Sequence, residues 1–574
     1  MSNTLSVSFV QANSHVGDIG KNKQKVIDVL RSNKSDLVVF PECFLTGYPL
    51  QDLVVRPGFL SKVEAALDEL AEAVKEIGGP ALLIGAPIAG TELPYNAAIL
   101  ISLDGSRQTA IKTELPNNDV FDERRTFARG SNPLPLTLYG WKLGVMICED
   151  MWHGQVARQL ADEGADLLIS MNGSPMEIDK HNVRQRHAAR RVHDTGLSIV
   201  YLNLVGGQDE LVFDGGSFFL DHEQKCHFMI PHDETVFQIN YSRKDDISTY
   251  LDYEVIVDKN LSMNSYGYHE QIYRALVVGM RDYVAKNGFN EVILGLSGGL
   301  DSAIVSTIAM DALGPEKVTT LMLPAQWTGE ESRSLADEMA IRCGFNYSTI
   351  PVSPITDALE EATRSALVAL GQPVNDHGMK VALENIQARA RGNVIMAISN
   401  ARPGSLVLST GNKSEMSVGY ATLYGDMCGG FNPIKDLYKT QVQALSSWRN
   451  SLNNDAINEF GLLGCINPIP DRIITRPPTA ELSESQTDEE ALGSYRVLDF
   501  VLFCLIEQKL DAEMASRMAT KELGQDVSLE YTTRIAKLVK NAEYKRRQAP
   551  PGIKVSGRSF GFGWRYPITN GGTL

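Results

Sequence analysis

An α/β architecture in two units is the fold class that this sequence predicts, on three observations. Short apolar runs alternate with amphipathic helical patterns from the first residues onward. The alternation thins near Ser242–Tyr268 and then resumes. At 574 residues the chain is long enough for two large α/β units. The expected units are 1–265 and 266–574.

The elements follow in order. Leu5–Val10 reads as a strand and Lys21–Ser32 as a helix with Val26, Ile27 and Leu30 on one face. Asp36–Phe40 is a strand that ends at Pro41-Glu42. Leu60–Ile77 is a long amphipathic helix, stopped by Gly78-Gly79-Pro80. Ala81–Gly85, Ala97–Leu103 and Trp141–Cys148 read as strands. After the break, Ile272, Leu276, Met280 and Val284 mark a helix that Asn287-Gly288 stops. Glu291–Leu296 is then a strand, followed by a turn and a helix from Ala303; the tail from about Asn541 reads as irregular and basic.

Composition narrows the function classes. Hydrophobic residues at 43% and charged residues at 22% are ordinary for a soluble globular chain. A net charge of −16 argues against non-specific nucleic-acid binding, which needs basic surface. Seven thinly spread cysteines argue against a disulfide framework and fit a reducing compartment. The N-terminus has neither a basic nor a long apolar region, and no window reaches about 18 uninterrupted apolar residues. A cytoplasmic location with no membrane partner is expected.

The sharpest local signal is Ser297-Gly298-Gly299-Leu300-Asp301-Ser302, directly after the strand ending at Gly295-Leu296. Two glycines let the backbone turn so that successive N–H groups face an anion, and the following helix adds its positive end. Ser297 and Ser302 supply hydroxyls. Asp301 would repel an anion unless a cation sits there, and Mg²⁺ is the natural choice. This is not the Walker pattern, because no Gly-Lys-Ser/Thr follows. A Gly-rich turn with no ligand is the alternative.

The SGGLDS segment resembles the phosphate loop of ATP pyrophosphatases, which adenylate a substrate and release pyrophosphate. Glu384–Gly392 (ENIQARARG), Ser409–Glu415 (STGNKSE), Arg476–Leu482 (RPPTAEL) and Glu543–Pro550 (EYKRRQAP) resemble, in order and spacing, stretches of NAD synthetases. That resemblance implies an ATP site at Gly295, Leu296, Ser297, Gly298, Gly299, Leu300, Asp301, Ser302, Thr410, Lys439 and Thr479. It implies Mg²⁺ at Asp301 and Glu415, and deamido-NAD near Asn385, Arg391, Glu415 and Lys545. Read as residues alone, Glu415 fits a solvated loop carboxylate, and Lys545-Arg546-Arg547 could equally be a solvated charge run, although their placement in an otherwise acidic chain favours a phosphate role. One departure stands out: ammonia-using relatives carry a lysine where this chain has Leu423.

In the first half, three strand ends carry Glu42, Lys112 and Cys148. A thiolate can attack an amide, a carboxylate can move its proton, and an ammonium can stabilise the oxyanion. Composition does not select these three; a lone cysteine after an apolar strand is commonly a buried hydrophobe. The choice rests on a resemblance to the nitrilase superfamily, in Phe40–Glu42, Lys112–Asn117, Ile147–Asp150, Asn172–Pro175 and Gly206–Gly215. It is closest to the glutaminase domain fused to NAD synthetases, and implies glutamine contacts at Asn118, Ser174 and Lys180. Asn118 departs from the aromatic residue that relatives often carry. Cys43 reads as structural, and His153, His187 and His193 as structural or surface.

Together these resemblances identify the chain with the glutamine-dependent NAD synthetase family. They imply a nitrilase-like four-layer α-β-β-α sandwich followed by a doubly wound parallel-sheet ATP-pyrophosphatase (adenine nucleotide α-hydrolase-like) domain. The implied reaction takes glutamine, ATP with Mg²⁺ and deamido-NAD, with a sheltered route for ammonia and a homo-oligomeric assembly. The rivals are another amidotransferase of the ATP-pyrophosphatase class, against which ENIQARARG and EYKRRQAP weigh, and a nucleotide-sensing scaffold with dead sites. The joint presence of Glu42, Lys112, Cys148, Asp301 and Glu415 weighs against the second.

Overall fold

A computed structural model describes residues 3–243, 251–257, 267–372, 376–477 and 492–572, without the side chains of 376 and 377. The chain divides into two compact units, Met1–Tyr266 and Gly267–Leu574.

The first unit holds two sheets. One runs β14-β13-β1-β2-β3-β4-β5. Its strands are β1 (Thr4–Gln11), β2 (Leu37–Val39), β3 (Ala81–Ile88), β4 (Tyr95–Ile101), β5 (Arg107–Ile111), β13 (Thr235–Ser242) and β14 (Asp252–Ile256). The other runs β10-β11-β9-β8-β7-β6, with β12 also on β11. These are β6 (Leu136–Leu138), β7 (Trp141–Ile147), β8 (Leu167–Asn172), β9 (Ile199–Asn203), β10 (Val205–Gln208), β11 (Leu211–Leu220) and β12 (Cys226–Pro231).

Strand periodicity explains the layering. Leu37, Val39 and Leu83 point to a central core shared with Leu143, Val145, Ile169 and Val200 of the second sheet. Their neighbours Val38, Leu82 and Ile84 point the other way, against helices α1 (Ile19–Ser32) and α2 (Pro57–Ile77). Helices α3 (Glu149–Trp152), α4 (Gly154–Asp162) and α5 (Lys180–Thr195) cover the far face of the second sheet through Met151, Val156, Leu160, Ala188 and Val192. The layers are therefore helix, sheet, sheet, helix, as expected.

The second unit has a four-stranded parallel sheet in the order β17-β16-β15-β18. Its strands are β15 (Glu291–Gly295), β16 (Val318–Met322), β17 (Asn346–Thr349) and β18 (Ser405–Val407). Its first helices are α6 (Tyr268–Lys286), α7 (Leu300–Leu313), α8 (Glu330–Cys343), α9 (Ser353–Ala369) and α10 (Asp376–Ala401). After β15 the chain steps outward to β16 and β17, then returns to the opposite side for β18. The strand order thus reverses beside β15, and in open α/β sheets ligands bind at that switch point.

Several boundaries differ from expectation. Helix α1 starts at Ile19 because the Asp18 carboxylate accepts the Lys21 N–H as an N-cap. Strand β4 stops at Ile101, since Ser102–Ser106 closes a turn. Helix α7 starts at Leu300, three residues before Ala303, so Asp301 lies in its first turn. The stretch assigned to the break contains β14, paired antiparallel to β13. Charged residues at alternate positions hid its edge-strand pattern. The tail read as irregular from about Asn541 opens with a short helix, Glu543–Arg546, directly after helix Leu529–Asn541.

Candidate active site

In the first unit, β2, β5 and β7 deliver Glu42, Lys112 and Cys148 from their ends. Glu42 and Lys112 are wholly buried, and Cys148 is 4% exposed. Lys112 Nζ donates to Glu42 Oε1 at 2.7 Å and pairs with Glu123 Oε2 at 2.8 Å. Asn96 Nδ2 donates to the same Glu42 oxygen at 2.8 Å, and the Gly173 N–H donates to Glu42 Oε2 at 2.6 Å. Position 173 has little room for another residue: a Cβ would lie 2.7 Å from the Tyr48 ring and 3.1 Å from Glu42 Oε2.

Cys148 adopts φ 49° and ψ −96° between β7 and α3. A non-glycine residue held there stores on the order of 1–3 kcal/mol of backbone strain. Two bonds hold it: its N–H donates to the Met171 carbonyl at 3.0 Å, and its carbonyl accepts the Met151 N–H at 3.1 Å. The Asp150 carboxylate fixes the surroundings. It accepts from the N–H groups of Thr113 at 3.0 Å, Glu114 at 2.7 Å and Ile147 at 3.0 Å. One buried side chain thereby ties the segment after Lys112 to the residue before Cys148.

The electrostatics differ from a simple thiolate picture. Burial raises the Cys148 thiol well above its ordinary value and Glu42 raises it further, while Lys112 pulls it down by less. The lowering that a neighbouring cation brings is thus outweighed here. Burial opposes the charge on Lys112, yet Glu123 and Glu42 hold its pKa well above the usual lysine range. Burial raises the Glu123 carboxyl against the pull of Lys112, and Asp150 is pushed up to about 6, again by burial first.

Ser174 is buried, and its hydroxyl accepts from Arg184 Nε at 3.2 Å. Arg184 also donates to both oxygens of Asp214, at 2.8 and 2.9 Å, and to the carbonyls of Ser174 and Pro175. Lys180 starts α5, pairs with Glu177 at 3.1 Å and lies 5.6 Å from the Trp152 ring centre. Asn118 is exposed in the loop before Glu123. Cys43 is buried with its thiol 3.4 Å from Asn96 Oδ1. Glu123 and Asp150 escaped the sequence reading. Glu123 sits in Asp122-Glu123-Arg124-Arg125, which reads as a solvated charge run until Tyr48 and Lys112 bury it.

In the second unit the loop leaves β15 at Gly295, and the Leu296 N–H is held by the Leu321 carbonyl at 2.8 Å. Gly298 has φ +76°, and a Cβ there would lie 2.2 Å from the Ser332 carbonyl, so only glycine fits. The Ser297 and Ser302 hydroxyls are 3.1 Å apart, and the Gly299 N–H donates to Ser297 Oγ at 3.2 Å. After β18, Thr410 is half-buried and leads to helix α11 (Lys413–Val418). Asn412 caps that helix by accepting the Glu415 N–H at 3.0 Å, and its Nδ2 donates to Asp301 Oδ1 at 3.1 Å.

Lys439, at the start of α12 (Lys439–Asn450), hydrogen-bonds Asp301 Oδ2 and lies 3.7 Å from Glu415 Oε1. Two carboxylates thus converge on one cationic nitrogen. Carboxylate oxygens are the hard donors that Mg²⁺ takes, and the Lys439 ammonium lies between these two. Among the described residues, no group of three or more His, Cys, Asp or Glu side chains could hold a metal ion.

The residues expected near a dinucleotide gather on 419–426. Thr422 Oγ1 donates to Asn385 Oδ1 at 2.9 Å, and Lys545 Nζ donates to the carbonyls of Gly419 and Ala421, each at 2.8 Å. Lys545 and Arg391 both act on the buried Asp426 carboxyl, which burial nonetheless raises. Arg391 Nε also donates to the Leu323 carbonyl at 3.0 Å. At the Leu423 departure, Arg389 Nε donates to the backbone carbonyl at 3.1 Å. Arg546 corrects the charge-run reading: it is buried, bonded to the Ser417 carbonyl at 2.7 Å and to Glu543, with its guanidinium 4.8 Å from the Phe560 ring centre. Thr479 lies outside the described residues.

A model of the carbon-nitrogen hydrolase family matches residues 6–236, and one of the NAD synthase family matches residues 272–549. The chain is 40% identical over 578 residues to a glutamine-dependent NAD(+) synthetase of Xanthomonas campestris pv. campestris, covering 99% of this chain and 98% of that one. It is 40% identical over 576 residues to the Rhodobacter capsulatus enzyme of that name, with 99% of each covered. A solved glutamine-dependent NAD+ synthetase from Acinetobacter baumannii, in complex with adenosine diphosphate, matches with a TM-score of 0.74 at 35% identity over 99% of both chains. One from Cytophaga hutchinsonii, at 19% identity, shares the fold with a TM-score of 0.78, covering 99% of this chain and 98% of that one.

Proposed function

The chain belongs to the glutamine-dependent NAD(+) synthetases, ATP-dependent carbon–nitrogen ligases, and on that premise we propose how its residues divide the reaction. Residues 1–265 form the glutaminase and residues 266–574 the synthetase. The observation that carries the first assignment is the buried Lys112 ammonium, shared by Glu42 and Glu123 beside the Cys148 thiol.

Glutamine binds with its amide carbon against Cys148 and its polar end towards Asn118, Ser174 and Lys180. The thiol proton passes to Glu42 as the sulfur attacks, which avoids a free thiolate in a site that disfavours one. Lys112 stabilises the oxyanion. Glu42 returns the proton to the departing ammonia, then takes one from the water that hydrolyses the thioester and passes it to the departing Cys148 sulfur as glutamate is released.

ATP lies on the Ser297–Ser302 loop, with its phosphates facing the Gly298 and Gly299 amides, and with Thr410, Lys439 and Thr479 nearby. Asp301 and Glu415 would hold Mg²⁺, which when bound offsets phosphate charge. Asn385, Arg391 and Lys545 position deamido-NAD, and Lys545 with Arg389 supplies positive charge where Leu423 has none. The nicotinate carboxylate attacks the α-phosphorus and pyrophosphate leaves. Ammonia then displaces AMP to give NAD.

The test supplies ATP, Mg²⁺, glutamine and deamido-NAD, and couples product to an NAD-dependent dehydrogenase. Absorbance should appear with glutamine or with ammonium, and no signal with either source would sink the reading. The enzyme is further read as a cytoplasmic homo-oligomer, which a mass measurement in solution checks; among the described residues no helix is long and apolar enough to cross a membrane.

A further inference from the structure

Away from the two sites, a pair of cysteines meets in the second unit. Cys343 is the last residue of α8, and Cys465 lies in the segment 461–470. Each thiol reaches the other's stretch of chain. Cys343 Sγ donates to the Pro468 carbonyl at 3.4 Å, and Cys465 Sγ to the Arg342 carbonyl at 3.6 Å. Crossed in this way, each thiol bears electrostatically on the other. Arg342 Nη1 on the Asn467 carbonyl, at 3.0 Å, fixes this approach from the helix side. Arg449, itself locked to Asp311, donates to the Cys465 carbonyl at 3.0 Å.

The pair is asymmetric. Cys343 is buried and Cys465 is partly open to solvent. The neighbouring Cys343 thiol, helped by the Arg449 guanidinium, brings the Cys465 thiol down to about 7 against its burial. The same pairing, with burial, raises Cys343. Cys43 and Cys148, by contrast, are fully buried thiols pushed upward.

We propose that Cys343 and Cys465 form a modification site at which a peroxide closes a reversible disulfide. The Cys465 thiolate attacks one peroxide oxygen; an S–O bond forms, the O–O bond breaks, and hydroxide leaves with the thiol proton as water. The Cys343 sulfur then attacks the Cys465 sulfenic acid; the S–S bond forms, the S–O bond breaks, and the second water leaves with the Cys343 proton. Two thiols are oxidised by two electrons and one hydrogen peroxide is reduced to two waters.

The helix that ends at Cys343 also carries Ser332, whose carbonyl closes on Gly298 of the loop read above as the ATP site. Tethering its end therefore restrains the backing of that loop, a consequence that rests on the proposed ATP role.

The test treats the full-length enzyme with equimolar hydrogen peroxide and maps peptides without reduction. The expected product is one Cys343–Cys465 linked peptide, 2 Da lighter than the two thiol peptides and lost on adding dithiothreitol. In Cys343→Ser, dimedone should trap a sulfenic acid on Cys465; in Cys465→Ser neither product should form. Oxidation of other cysteines with residues 343 and 465 left as thiols would overturn the site. Ammonium-driven synthesis by the oxidised enzyme should show at least a threefold change in KM for ATP, reversed by dithiothreitol. A bridge that forms with that KM unmoved would overturn the link to the loop while leaving the site in place.

Discussion

Lys112 Nζ and Glu42 Oε1 lie 2.7 Å apart with neither side chain exposed. Glu123 shares the same ammonium, so two carboxylates depend on one buried cation. Removing one partner of such a set leaves uncompensated buried charge, at a cost of roughly 3–5 kcal/mol. Lys112→Met should therefore abolish glutamine-driven synthesis and lower the unfolding free energy of the first unit by about that amount, measured by urea denaturation. An unfolding curve superimposable on wild type would contradict the coupled-charge reading.

Cys148→Ala should end glutamine-driven NAD formation and leave ammonium-driven formation within about twofold, because the substitution touches only the first unit's chemistry. Glu42→Gln should behave alike. Steady-state rates with each nitrogen source decide it, and glutamine-driven turnover surviving in Cys148→Ala would assign the nucleophile elsewhere.

Asp301→Ala should stop synthesis with either nitrogen source while glutamine hydrolysis continues. Glu415→Gln should raise the Mg²⁺ concentration for half-maximal synthesis on the order of tenfold, since it withdraws one of two convergent carboxylates. A magnesium titration of ammonium-driven activity gives the answer; an unshifted midpoint would remove Glu415 from the metal set.

Asp150→Asn replaces an acceptor of three backbone N–H bonds with a group that has one acceptor oxygen, and should cost about 1–3 kcal/mol. The penalty should also vary with pH. The folded-state value, raised to about 6, exceeds the ordinary 3.8, so the folded chain holds this proton more tightly than the unfolded chain. The wild-type contribution is full below about 4 and is lost as pH rises through about 6. The stability difference between wild type and Asp150→Asn should shrink between those limits and level off above them. Urea curves at three pH values test this; a difference that grows with pH would reverse the assigned sign.

Family resemblance offered the candidates Glu42, Lys112, Cys148 and Glu415; the sequence by itself determined the layered α/β class, most strand and helix positions in both halves, the glycine turn at Gly298 and Asp301 as a candidate beside it. These were legible because hydrophobic periodicity is local, and because each short motif keeps its chemistry within a few residues. Tertiary structure decided what those residues experience. Glu123 became a partner of Lys112, Asp150 a clamp between two strand ends, and Arg546 a buried strut, roles that the sequence reading assigned to none of the three. The Cys148 thiol went up where a nearby cation alone would have brought it down. The reason is common to all four: burial and pairing arise between segments far apart in the chain, and a pKa or an ion pair depends on what surrounds a group in space.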